Sequence, residues 1–193
     1  MGITLTIIIR RGVALVTVLV SGLLLFQSNQ PFATYRTPAT THINNEVPDP
    51  DEVLRLVNKE RSLRNLNELT KDPGLTLVAE NRAEDMAINH YYAHLNSRGE
   101  YFYDYFKKFG FSTGSSCENL QLDFTANEPQ YINDWLASKK GHKACMLNKE
   151  VTKAGYATAV FEDLNEDGST VKLYVIVGIH AGPPFKTFNP SFD

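Results

Sequence analysis

An α+β fold is predicted by three features of the 193-residue chain. Helical periodicity fills its middle, two strand-forming runs fill its last third, and capping residues open the helical stretches. Hydrophobic residues make up 42% and charged residues 21%, the balance of a packed domain and not of a disordered chain.

Asp49, Pro50 and Glu52 read as a helix start. Asp49 supplies an N-cap acceptor, and the missing N–H of Pro50 is not needed in a first turn. Val53, Leu54, Val57 and the Glu60-Arg61 pair then alternate between inside and outside at helical spacing. Asp72-Pro73 repeats the signal, and Leu75, Val78, Ala79, Ala83, Met86 and Ala87 form the clearest 3.6-residue stripe in the chain. A shorter helix is predicted over about Tyr101–Phe109, with Phe102, Tyr105, Phe106 and Phe109 on one face and Gly110 at its end. A fourth is predicted from Thr125, where Thr125 and Glu128 have capping-box spacing, through Tyr131, Ile132, Trp135 and Leu136 to Gly141.

Residues 154–161 and 171–179 are rich in Val, Ile and Tyr and flank an acidic loop, which predicts a β-hairpin. Asp163, Asn165, Asp167 and Gly168 copy half of a calcium loop. Tyr174 stands where such a loop ends in glutamate, so an Asp-Gly turn is the expectation.

The N-terminus points outward. Gly12–Phe26 is an uncharged, mostly apolar run of 15 residues directly after Arg10-Arg11, the pattern of an export signal or a cytoplasm-in anchor. Residues 1–27 are therefore expected to be a signal peptide or an N-terminal membrane anchor. Residues 28–48, polar and rich in Thr and Pro, read as a linker that reaches about 70 Å when extended. The folded domain is expected at 49–183 and a C-terminal tail at 184–193. The protein is placed outside the cell or in its envelope, tethered to the membrane if the first segment is not cleaved. A formal net charge of −3 gives no electrostatic reason to expect nucleic acid as a partner.

Three pieces carry a resemblance. His94 lies in Ala-His-Leu-Asn, Glu118 in Cys117-Glu118-Asn119-Leu120, and His142 in DWLASKKGHKACMLN. Their order and spacing resemble the CAP superfamily (SCP domain), in its bacterial secreted branch, over roughly Val53–Gly182. The resemblance implies an α–β–α sandwich, helices flanking a small antiparallel sheet, with a central cleft. It places His94, Glu118 and His142 on three of the four polar cleft positions of many members. Ser138 falls on the fourth, where eukaryotic members carry a glutamate.

The expected chemistry is a divalent metal site, zinc above all, with His94 and His142 as ligands. Glu118 is expected either as a third ligand or as an acceptor orienting an imidazole. The cleft then binds a metal, a small ligand or an envelope partner. The alternative is a metal- or His-assisted hydrolase acting on envelope components. A hydrogen-bonded network that only supports the fold is the plain reading of the same residues. Cys117 and Cys145, the only cysteines, are expected to pair in an exported protein, clamping the Glu118 segment to the His142 segment. Two free thiols or soft metal ligands are the alternatives. His90 reads as a surface or cleft-rim residue. Tyr91, Tyr92, Tyr101, Phe102, Tyr103, Tyr105 and Phe106 read mainly as core, with a groove for carbohydrate or lipid as the minor reading.

Overall fold

A computed structural model describes residues 47–187. The expected signal or anchor at 1–27, the linker up to residue 46 and the tail from residue 188 lie outside the described residues. Helix α1 spans Pro50–Ser62, and Asp49 caps it through its carboxylate on the Asp51 N–H, 2.9 Å. The two-residue strand β1 (Thr70–Lys71) leads into α2 (Pro73–Ile88), which Asp72 caps on the Gly74 and Leu75 N–H groups. Then follow α3 (Phe102–Lys108), β2 (Phe111–Ser112), β3 (Ser116–Asp123), α4 (Glu128–Ala137) and α5 (His142–Met146). Strands β4 (Lys153–Leu164), β5 (Thr170–Ala181) and β6 (Lys186–Thr187) end the domain.

The main sheet has the order β1-β4-β5-β3, so β3 is an edge strand. The β4–β5 hairpin is antiparallel from Lys153↔Ala181 to Leu164↔Thr170 and is closed by the Asp-Gly turn. Strand β3 is antiparallel to β5, but β1 joins β4 in parallel. The sheet is thus mixed, where a purely antiparallel one was expected. A two-residue edge strand carries too little pattern to be read from sequence.

Strand alternation builds two cores. Leu173, Val175, Val177, Ile179 and Ala181 of β5 face one side and pack with the apolar stripe of α2 and with Phe102, Tyr105 and Phe106 of α3. Tyr174 and Ile176 face the other side, with Val53 and Val57 of α1 and Tyr131, Ile132 and Trp135 of α4. Helices therefore cover both faces of the sheet, the sandwich that the resemblance implied. At Gly155 the α2 backbone packs directly on β4. A Cβ there would stand 2.1 Å from the Thr76 nitrogen, so only glycine fits.

Four boundaries differ from the sequence reading. Asn127, not Thr125, caps α4, accepting from the Gln130 N–H at 3.2 Å, while the Thr125 hydroxyl donates to Asp123. The fourth helix stops at Ala137 and a separate one-turn helix, α5, starts at His142. Gly141, at φ 106°, makes the break in a conformation that other residues rarely adopt. Strand β3 was not expected, because only Leu120 and Leu122 interrupt its polar sequence. The domain also continues past 183, since Lys186–Thr187 pair with β2.

Candidate functional site

Edge strand β3 brings the expected site residues together. Its alternation sends Glu118 toward α2, and Cys117 and Asn119 toward α5. The loop after α2 brings His94 to Glu118, and α5 brings His142 over the same strand. The two imidazoles face one another with ring centroids 6.4 Å apart.

Glu118 is fixed from both sides. Its Oε1 accepts from Arg82 Nε at 2.9 Å, and its Oε2 lies 2.6 Å from His94 Nδ1. The Arg82 and Glu118 side chains are 0% and 1% exposed, whereas that of His94 is 49% exposed. With the carboxylate accepting, Nδ1 of His94 carries a hydrogen, and in the neutral ring Nε2 is then the open lone pair. Arg82 also holds the loop that carries His94: its Nη2 donates to the carbonyls of Ala93 (2.7 Å) and His94 (3.0 Å). Its Nη1 donates to the Tyr91 hydroxyl (3.0 Å), which in turn donates to Asp85 at 2.5 Å. Burial alone would lower the pKa of Arg82, but the adjacent Glu118 more than offsets it and the net shift is upward. Burial first, and the Asp85 carboxylate next, push the Tyr91 hydroxyl up.

His142 is half-buried. Burial lowers its pKa, with further lowering from the charges of His94 and Lys140, which favours the neutral imidazole able to bind a metal. Asn119 Nδ2 donates to the His142 carbonyl at 3.1 Å and fixes the start of α5. The Oδ1 of this fully buried asparagine has no hydrogen-bond partner.

Ser138 does not touch these residues through any described hydrogen bond. Its hydroxyl accepts from the Lys140 N–H at 3.1 Å and shapes the turn between α4 and α5. His90 is exposed at φ 50° and makes an edge contact with Phe161. Phe102, Tyr105 and Phe106 are core residues, while Tyr101 and Tyr103 stack on one another at the surface. Cys117 and Cys145 form a disulfide, and His180 lies beneath it, fully buried, with Nδ1 3.1 Å from Cys145 Sγ and Nε2 2.6 Å from the Tyr156 hydroxyl.

Arg82 and His180 escaped the sequence reading, although each left a signal. Arg82 is the one charge on the α2 apolar stripe, between Ala79 and Met86, where a cation has to be paired. His180 falls on an inward position of β5 by simple alternation from Tyr174 and Ile176.

A zinc-class cation at this place would have two imidazole donors, His94 and His142. Two imidazoles on one tetrahedral zinc stand about 5 Å apart between centroids, given Zn–N of about 2 Å. The observed 6.4 Å calls for a closure of about 1 Å, for which the half-exposed His94 has room. Glu118 directs one oxygen to Arg82 and the other to His94, which suits the orienting role of the two expected for it. Among the described residues, the only set of three metal-type donors lying together is Cys117, Cys145 and His180.

This chain belongs to the CAP, or cysteine-rich secretory protein, family, whose model matches residues 54–178. Solved structures agree on the fold. An extracellular protein containing an SCP domain from Bacillus anthracis aligns with a TM-score of 0.54 and 23% identity, over 69% of this chain and 40% of that one. An outer surface protein from Borrelia burgdorferi aligns at 0.53 and 21% identity, over 71% of this chain and 97% of that one. A cysteine-rich secretory protein from Staphylococcus aureus aligns at 0.50 and 17% identity, over 69% and 38%. The chain thus spans less than half the length of the Bacillus and Staphylococcus proteins. No curated protein matches the sequence significantly.

Proposed function

We propose that this is an exported protein of the cell envelope whose cleft binds a divalent cation, zinc above all, between His94 and His142. The observation that carries the reading is the Arg82–Glu118–His94 chain of contacts. A buried ion pair that fixes an exposed imidazole beside a second one, ring centroids 6.4 Å apart, resembles the outer support that zinc-binding histidines use. Two protein ligands leave positions open to water, a small ligand or an envelope partner. A zinc ion bound there would supply Lewis-acid polarisation to whatever occupies those positions. Export rests on the hydrophobic segment after Arg10-Arg11, on the disulfide and on family membership. No helix among the described residues is long and apolar enough to cross a membrane.

Zinc titration by calorimetry of the protein and of a His94→Ala/His142→Ala variant tests this reading. One zinc per chain, lost in a still-folded variant, is expected. Equal binding by the two proteins would remove the metal from the cleft.

The Glu118–His94 dyad also favours a second reading, hydrolysis of envelope components. Nε2 of His94 would take a proton from water or a substrate hydroxyl while Glu118 stabilises the resulting imidazolium. Activity lost in both His94→Ala and Glu118→Ala, with folding intact, would put this reading ahead.

A further inference from the structure

Three features near the disulfide belong together. Cys117 and His180 are direct cross-strand partners of β3 and β5, and alternation puts both on the face covered by α5. Cys145, on α5, lies above them. Cys117 Sγ, Cys145 Sγ and a ring nitrogen of His180 all lie within 4.8 Å of one another. Two sulfurs and an imidazole nitrogen are the donor set that thiophilic d¹⁰ cations select.

The two chain segments are held together without the S–S bond. Asn119 Nδ2 donates to the His142 carbonyl at 3.1 Å on one side of the disulfide, and Asn148 Nδ2 reaches Ser115 Oγ at 3.3 Å on the other. Alternate positions 115, 117 and 119 thus meet positions 148, 145 and 142 at helical spacing. The buried Arg61 guanidinium of α1 anchors the Cys145 side separately, donating to the carbonyls of Met146, Asn148 and Val151. Breaking the disulfide therefore leaves both thiols facing each other over His180. The second nitrogen of His180 already has its outer partner, since Tyr156 Oη lies 2.6 Å from Nε2. An Nε2–H donated to that oxygen leaves Nδ1 free as a ligand.

We infer that Cys117, Cys145 and His180 form a second, thiol-gated site for a zinc-class cation, closed while the disulfide is intact and opened by its reduction. The chemistry balances. A dithiol reductant is oxidised to its own disulfide and delivers two electrons and two protons, giving two cysteine thiols. Binding one divalent cation as a bis-thiolate then releases those two protons. Oxidation by any two-electron acceptor of disulfide-forming type reverses the step and expels the cation. The atoms are distinct from those of the His94–His142 cleft, so the two sites stand or fall separately.

The test is cobalt(II) titration of the full chain, oxidised and after reduction with a phosphine that is removed before metal is added. Thiolate-to-cobalt charge-transfer absorbance is the readout. The reduced chain is expected to take up one cobalt with this band, the oxidised chain to show none, and His180→Gln to bind at least tenfold more weakly. The His94→Ala/His142→Ala variant is expected to keep the band, which separates this site from the cleft. Absence of the band in reduced protein, or a reduced chain that stays unfolded once cobalt is added, would overturn the inference. So would undiminished binding by His180→Gln. Should that variant not fold, X-ray absorption of the cobalt-loaded parent decides: a shell with two sulfurs and a nitrogen supports the site, and one without nitrogen refutes it.

Discussion

Arg82→Met is expected to destabilise the domain by about 3–5 kcal/mol, because it strands the Glu118 carboxylate at a buried position. The magnitude follows from geometry. The side chains of this pair are 0% and 1% exposed, so water cannot replace the lost partner, and the carbonyls of Ala93 and His94 lose their donors as well. With a urea m-value of about 1.5 kcal/mol/M, the unfolding midpoint falls by about 2–3 M. Replacing both partners by apolar groups, Arg82→Met with Glu118→Leu, is expected to recover most of the loss, since a buried ion pair contributes little beyond a packed apolar pair. Zinc affinity is expected to fall about 10–100-fold in that double variant, because His94 has lost the acceptor on Nδ1. Equilibrium urea unfolding with and without zinc measures both quantities. A loss below about 1 kcal/mol for Arg82→Met, or a double variant as tight for zinc as the parent, would refute the reasoning.

Three further outcomes are expected. Burial first, and the Arg61 charge second, hold the pKa of His180 down to about 3, against 6.5 in an unfolded chain. The unfolded state therefore binds more protons. The contribution is complete above about pH 6.5, is reduced by about 2 kcal/mol at pH 5 and is lost near pH 3; urea unfolding against pH should show a shallower slope for His180→Gln. Reducing the disulfide, with its sequence separation of 28, should lower stability by about 3–4 kcal/mol on the chain-entropy model, read from urea midpoints with and without a phosphine. Asn127→Ala should cost about 1 kcal/mol as the loss of an N-cap, and Thr125→Ala clearly less, as read from thermal melts.

The parts of the fold legible in the sequence are those with long local patterns. The α2 stripe, the Asp49 and Asp72 caps and the Val/Ile-rich hairpin each repeat a physical signal over several residues. Strand β3 lacked such a signal because it spends its inward positions on chemistry. Glu118 bonds Arg82 and His94, Cys117 bonds Cys145, and Asn119 bonds α5, so only Leu120 and Leu122 remain as apolar alternation, too short a run to be read. The same cause hid Arg82. Its pairing depends on a carboxylate 36 residues away, and no window along the chain contains both. His94 and His142 were found through motif order and not through periodicity. Ser138 is legible only by its position in that motif, and its hydroxyl accepts from the Lys140 N–H.

Zinc affinity of Glu118→Gln is the most direct test of an oriented histidine site. Arg82 fixes which way the new amide points: its oxygen accepts from Arg82, and its NH2 donates to Nδ1 of His94. That forces the imidazole hydrogen onto Nε2, where the cation would bind. With the fold retained, as seen by circular dichroism, affinity by calorimetry is expected to fall about 10–100-fold. Unchanged affinity in folded Glu118→Gln protein would show that the Arg82–Glu118–His94 chain supports the fold alone.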